Sequence, residues 1–114
     1  MIEKIILKPR QTGKTTEMIK MAAEHNLYIV TTDRNRALFI AKMAKDLGLK
    51  IPFPITVREL PIHPVMRHEC SFVKEVLVDD ADQVLEWLVG TKIKAIAMEK
   101  SENVNVYNCT DWVP

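Results

Sequence analysis

Short apolar runs alternate with amphipathic segments along this chain, and that order constrains the fold more than any other feature. Residues 2–7 (IEKIIL), 27–31 (LYIVT), 55–57 (ITV), 74–79 (KEVLVD) and 93–98 (IKAIAM) read as strands, and 104–107 (VNVY) as a last edge strand. The runs lack polar–apolar alternation, as strands do when both faces are covered. Between them lie three helical patterns. Lys14–His25 carries Met18, Met21 and Ala22 on one face, widened by Ile19 and Ala23. The second begins at a cap, Asp33 or Asn35, and carries Ala37, Ile40, Ala41, Ala44 and Leu47 before Gly48. The third covers 82–89 and stops at Gly90. Strand–helix alternation favours parallel pairing through right-handed crossovers, with helices on both sheet faces. The expected fold is α/β: a three-layer α/β/α sandwich with a mostly parallel sheet of four to five strands.

Length limits what this fold can carry. The chain has 114 residues, which suits one domain spanning 1–114 and leaves no room for a large enzyme's lid and accessory domains. A hydrophobic fraction of 47% with 27% charged residues is a globular mixture that does not suit bulk disorder. No apolar run approaches the ~20 residues of a membrane helix, and the start has no signal-peptide architecture. Cys70 and Cys109 therefore read as reduced thiols, and the expected location is the cytoplasm, the host's if the protein is viral. Net charge is +1, but residues 1–58 carry +6 and 59–114 carry −5, a split that suits a polyanion at one end and a cation at the other.

The strongest local signal is KPRQTGKTT, 8–16, between the first strand and the first helix. A loop that wraps a phosphate presents backbone N–H groups inward, and Gly13 gives the chain freedom to do so. The helix starting at Lys14 points its positive end at an anion. Lys14 places a compact cation on the β/γ-phosphates, and Thr15 offers a hydroxyl to a magnesium ion on the same oxygens. The competing reading is a Thr-capped surface helix, which a first-turn lysine opposes through the helix dipole.

A metal at Thr15 calls for a carboxylate at the end of another buried strand. VLVDDAD, 76–82, supplies Asp79 and then Asp80. The first orients the metal's water, and the second polarises an attacking water. The competing reading makes Asp80 or Asp82 the cap of the next helix. Asp79 buried without a cation is costly under either reading.

These residues carry a resemblance to the P-loop nucleoside triphosphatases, in particular to single RecA-like domains of DEAD-type helicases and phage terminase ATPases. Residues 8–16 resemble their Walker A motif, with Arg10-Gln11 where an Arg-Gln pair commonly precedes the Gly-Lys-Thr. KEVLVDDADQVL, 74–85, resembles Walker B, with Asp80 where the family has Glu. Residues 27–49 resemble the strand and helix after the phosphate loop. The resemblance implies ATP and Mg2+ as ligands. It implies that Lys14 binds phosphates, that Thr15 and Asp79 hold the metal, and that Asp80 is the catalytic carboxylate. Thr12, Gly13 and Thr16 are implied as donors to the nucleotide, with Arg10 and Gln11 beside it.

The chain also departs from that pattern. Lys8 stands at the first Walker glycine, Asp80 is one methylene shorter than Glu, and Met98-Glu99-Lys100 stands where helicases carry a coupling Ser/Thr. No second RecA-like domain follows to supply an arginine finger, whose loss costs on the order of 10³-fold in rate. Arg34, Arg36, Arg58 and Arg67 are candidates to act in trans through self-association or a protein partner. The expectation is a small ATP-binding protein, a weak Mg-dependent ATPase in nucleic-acid metabolism and of phage type by resemblance. The alternative is a pseudo-ATPase module that binds nucleotide and regulates a larger ATPase. A small-molecule kinase is disfavoured by the missing Arg-rich lid.

Other candidates are weaker. His63, His68, Cys70 and Cys109 lack the paired spacing of a zinc site, and no group orients a Cys70–His68 nucleophile pair. Arg34, Arg36, Lys42, Lys45 and Lys50 form a basic stretch around the second helix, either a solvated face or a nucleic-acid track without aromatic stacking partners.

Overall fold

The computed structural model describes residues 2–7, 13–62, 73 and 75–99, and the backbone of 105–108. The chain divides into two compact units, Thr15–Lys92 and the pair Met1–Lys14 with Ile93–Pro114.

The Thr15–Lys92 unit is an α/β structure around a three-stranded parallel sheet. Its strands are β2 (Tyr28–Thr31), β3 (Ile55–Thr56) and β4 (Val76–Val78), in the order β3-β2-β4. Tyr28 pairs with Val76 and Val30 with Val78 on one side, and Val30 pairs with Ile55 on the other. Three helices accompany it: α1 (Lys14–His25), α2 (Arg34–Asp46) and α3 (Ala81–Val89). Both long helices stop on a left-handed residue. Asn26 (φ 54°) ends α1 and Gly48 (φ 72°) follows α2. In each case the next N–H turns back to the helix, Leu27 to the Ala22 carbonyl (3.0 Å) and Leu49 to the Ala44 carbonyl (2.9 Å).

The two-residue period of a strand decides what covers each sheet face. Ile29 of β2 joins Ile19 and Ala22 of α1 and Ile40 and Ala44 of α2, with Leu77 of β4 against them. Val30 joins Ile55, Val57 and Val84 of α3, with Tyr28, Val76 and Val78 against them. Each fully buried isoleucine contributes about 1.5–3 kcal/mol relative to exposure. Helices thus cover both faces, an arrangement compatible with an α/β sandwich.

Two elements differ from the sequence expectation. The third strand ends at Thr56, and Val57–Glu59 form a 3-10 turn. The Glu59 carboxylate accepts from the Thr56 N–H and from its hydroxyl, both at 3.1 Å, which bends the chain out of the ladder. Residues 93–98 form no strand, although their sequence is strand-like. Ile96 and Met98 are exposed. A strand exists only where a neighbour takes up its backbone groups, whatever its side chains favour.

In the other unit, β1 (Lys4–Leu7) pairs in parallel with β5 (Asn105–Asn108), Lys4 opposite Asn105 and Leu7 opposite Asn108. The sheet expected from sequence therefore appears as two parallel ladders, of two and three strands. Among the described residues no helix is long and apolar enough to cross a membrane.

Candidate functional site

Two strands and two helices bring the chemistry to one end of the three-stranded sheet. Chain ends of parallel strands are where α/β sheets place their ligands. β4 runs out at Val78, and the Asp79 N–H still bonds the Val30 carbonyl (2.9 Å), so Asp79 is fixed one residue beyond the strand. Alternation puts Asp79 on the same face as Leu77, the face covered by α1 and α2. There it meets the first turns of both helices.

Gly13 has φ +88°, a left-handed conformation that favours glycine, and turns the chain into α1. Lys14 opens that helix, and Thr15 follows within its first turn. The Thr15 hydroxyl donates to Asp79 Oδ1 at 3.5 Å across 64 residues of sequence, long for this kind of hydrogen bond. Thr16 turns away from it, toward the Met43 sulfur at 3.8 Å. Arg10, Gln11 and Thr12 lie outside the described residues, as do His63, His68, Cys70 and Cys109.

The residue that sequence reasoning did not place here is Arg36. Its Nη2 donates to Thr15 Oγ1 at 2.7 Å and to Asp79 Oδ2 at 3.2 Å. Its Nε lies 3.3 Å from Asp80 Oδ2, an ion pair whose N–H is not aimed well enough to count as a hydrogen bond. The guanidinium also sits 4.8 Å from the centre of the Phe39 ring. Arg36 therefore does not belong to the basic surface stretch; Arg34, Lys42, Lys45 and Lys50 remain exposed. A signal for this was present. Arg36 precedes Ile40 by four residues and Ala44 by eight, on the stripe that α2 buries, and a cation there must find a counter-charge.

Asp80 stands at the cap position of α3, as one sequence reading expected, but its side chain makes no capping bond. Its backbone is left-handed (φ 55°, ψ 50°), a region Asp enters more readily than most residues, at a cost of order 1 kcal/mol. What this conformation accompanies is the ion pair to Arg36.

Electrostatically the cluster is short of positive charge. Asp79 is only 3% exposed. Burial, then the neighbouring Asp80 charge, push its carboxyl above the ordinary 3.8, while Arg36 and Thr15 pull it back without cancelling the rise. Two carboxylates share one guanidinium. Nearby, Thr31 is wholly buried, and its hydroxyl has no hydrogen-bond partner among the described residues. Alternation puts it on the same face as Asp79.

The donor set suits a small hard cation: a hydroxyl and a buried carboxylate, with a second carboxylate beside them. Mg2+ takes one or two carboxylates and completes its shell with water and phosphate oxygens. Thr15 and Asp79 are the residues that would hold it. Among the described residues no group of three His, Cys, Asp or Glu forms an all-protein metal cage. An open cavity of about 690 Å³, lined by Asp33, Gln83, Glu86 and Trp87 among others, includes none of Thr15, Arg36 or Asp79. No protein-family model, curated protein or solved structure matches the chain.

Proposed function

We propose that this chain binds a purine nucleoside triphosphate, ATP in the first instance, together with Mg2+, and hydrolyses it slowly in the service of nucleic-acid metabolism. The reading takes the fold as a P-loop type α/β/α sandwich, with the 8–16 loop around the phosphates. One observation carries it. Thr15, in the first turn of the helix after a Gly-Lys-Thr loop, faces Asp79 at the end of a parallel strand 64 residues away, and that carboxylate is buried with its charge under-compensated. A surface helix cap needs no such partner.

In this reading Lys14 and the first N–H groups of α1 hold phosphate oxygens. Arg10, Gln11, Thr12, Gly13 and Thr16 add donors around them. When bound, the metal neutralises phosphate charge. Thr15 and Asp79 orient it, and Asp80 accepts a proton from the attacking water.

A second reading, nucleotide binding without turnover in a module that regulates a larger ATPase, is favoured by the ion pair that ties Asp80 to Arg36. Calorimetry and phosphate release with Mg2+-ATP test both, on the wild type, Lys14→Ala and Asp79→Ala, with and without single-stranded and duplex DNA. Binding lost in both variants, with slow DNA-stimulated turnover, supports the first reading. Binding without turnover supports the second. Binding unaffected by either substitution contradicts both.

A further inference from the structure

We infer that Arg36 is a built-in stand-in for the divalent cation, an intramolecular latch that must leave Thr15 and Asp79 before a metal can enter. The inference rests on reading Thr15 and Asp79 as divalent-cation ligands, and it adds a regulatory step to that site. One nitrogen, Nη2, reaches both residues, at 2.7 Å from Thr15 Oγ1 and 3.2 Å from Asp79 Oδ2. A cation held between Thr15 and Asp79 would bridge the same two side chains that Nη2 now bridges. It would also bring a second positive centre against a guanidinium in a largely desolvated place. The two cations are therefore alternatives.

The latch is well held. Its side chain is 30% exposed, Asp80 binds it from a second side at 3.3 Å, and the Phe39 ring lies beneath it at 4.8 Å. Without a cation, Asp79 and Asp80 would face each other with only the Thr15 hydroxyl between charge and burial. Arg36 lowers that cost in the metal-free protein, but one guanidinium serves two carboxylates, so the compensation is partial. Partial compensation is what a displaceable cation requires: enough to keep the empty site folded, too little to exclude a doubly charged competitor. The result is a threshold. The site accepts a metal only when the metal's own ligation outweighs the contacts of Arg36, and phosphates arriving on the metal add to that ligation.

The test is Mn2+ binding without nucleotide, read by electron paramagnetic resonance, on the wild type, Arg36→Gln, Arg36→Lys and Arg34→Gln. Arg34 is exposed on the same helix and removes the same charge, which controls for general electrostatics. Arg36→Gln should bind Mn2+ about three- to tenfold more tightly, Arg34→Gln within twofold of wild type, and Arg36→Lys in between, because one ammonium cannot serve Thr15, Asp79 and Asp80 together. Arg36→Gln should also melt lower than wild type without metal and gain more Tm on adding it. If Arg36→Gln does not fold, Arg36→Lys decides by the same tightening. Equal or weaker Mn2+ binding in the Arg36 variants, equal tightening in Arg34→Gln, or no binding by any of the four overturns the latch. Mg2+-ATP titration of the wild type stands apart from these results. Its failure removes the nucleotide reading, whereas ATP binding that Arg36→Gln leaves with unchanged Mn2+ affinity removes only the latch.

Discussion

Two helices of this chain begin with an aspartate, and the two aspartates do different things. Asp33 caps α2 in the ordinary way: its backbone is extended (φ −139°), and its carboxylate accepts the Arg36 N–H at 2.8 Å. Asp80 begins α3 from a left-handed backbone, makes no cap, and gives its carboxylate to the Arg36 side chain. Arg36 thus touches both, by its backbone at Asp33 and by its guanidinium at Asp80. Local structure accounts fully for Asp33. At Asp80 a helix end gives up a capping bond worth about 1 kcal/mol and takes on backbone strain. That exchange leaves the Asp80 carboxylate on the Arg36 guanidinium.

Substitutions can break this comparison. The largest effect is expected from Asp80→Asn, which keeps the shape, the tolerance for a left-handed backbone and a cap-competent oxygen, and removes only the charge. Turnover should fall on the order of 10²-fold or more, while stability stays within roughly 0.5 kcal/mol, as for other part-exposed ion pairs. Phosphate release and thermal melting read the two.

Asp79→Asn comes next. Mg2+-ATP affinity should drop about 10- to 100-fold by calorimetry, the range seen when groups that support a metal are changed. The same variant tests the charge argument. The folded-state value for Asp79 lies above 3.8, so the stability this group contributes is fully present below 3.8 and is lost as pH rises through the raised value. Melting the metal-free protein between pH 3 and 7 should show that loss in the wild type, and less of it in Asp79→Asn.

Asp33→Ala should cost about 1 kcal/mol, a few degrees of Tm, and leave nucleotide affinity unchanged. If affinity falls with it, the two helix starts are not separable. Smallest of all, Phe39→Leu should cost about 0.5 kcal/mol by removing the ring under the guanidinium.

Most of the local structure could be read from residue type. Lys14–His25 emerges with the bounds its periodicity gives, and Asp33 caps where a cap was expected. The central strands follow from unbroken apolar runs that need cover on both faces. What was not read had two sources, a side-chain contact three residues away and partners distant in sequence. Val57 leaves its strand because Glu59 takes the Thr56 donors. Residues 93–98 have a strand's composition and form none, because a ladder is a property of two segments. At the site, the order of residues pointed to Thr15 and Asp79, since a loop and a strand end each leave a local pattern. Arg36 left only an indirect trace, a charge on an apolar stripe, which a list of basic residues hides.

The most direct test of the account is paramagnetic broadening of amide resonances by Mn2+-ATP. Thr15, Asp79 and Asp80 should broaden first and together, with Arg36 close behind. Broadening that begins around Asp33, Glu86 and Trp87 at the open cavity, and spares Thr15 and Asp79, would contradict it.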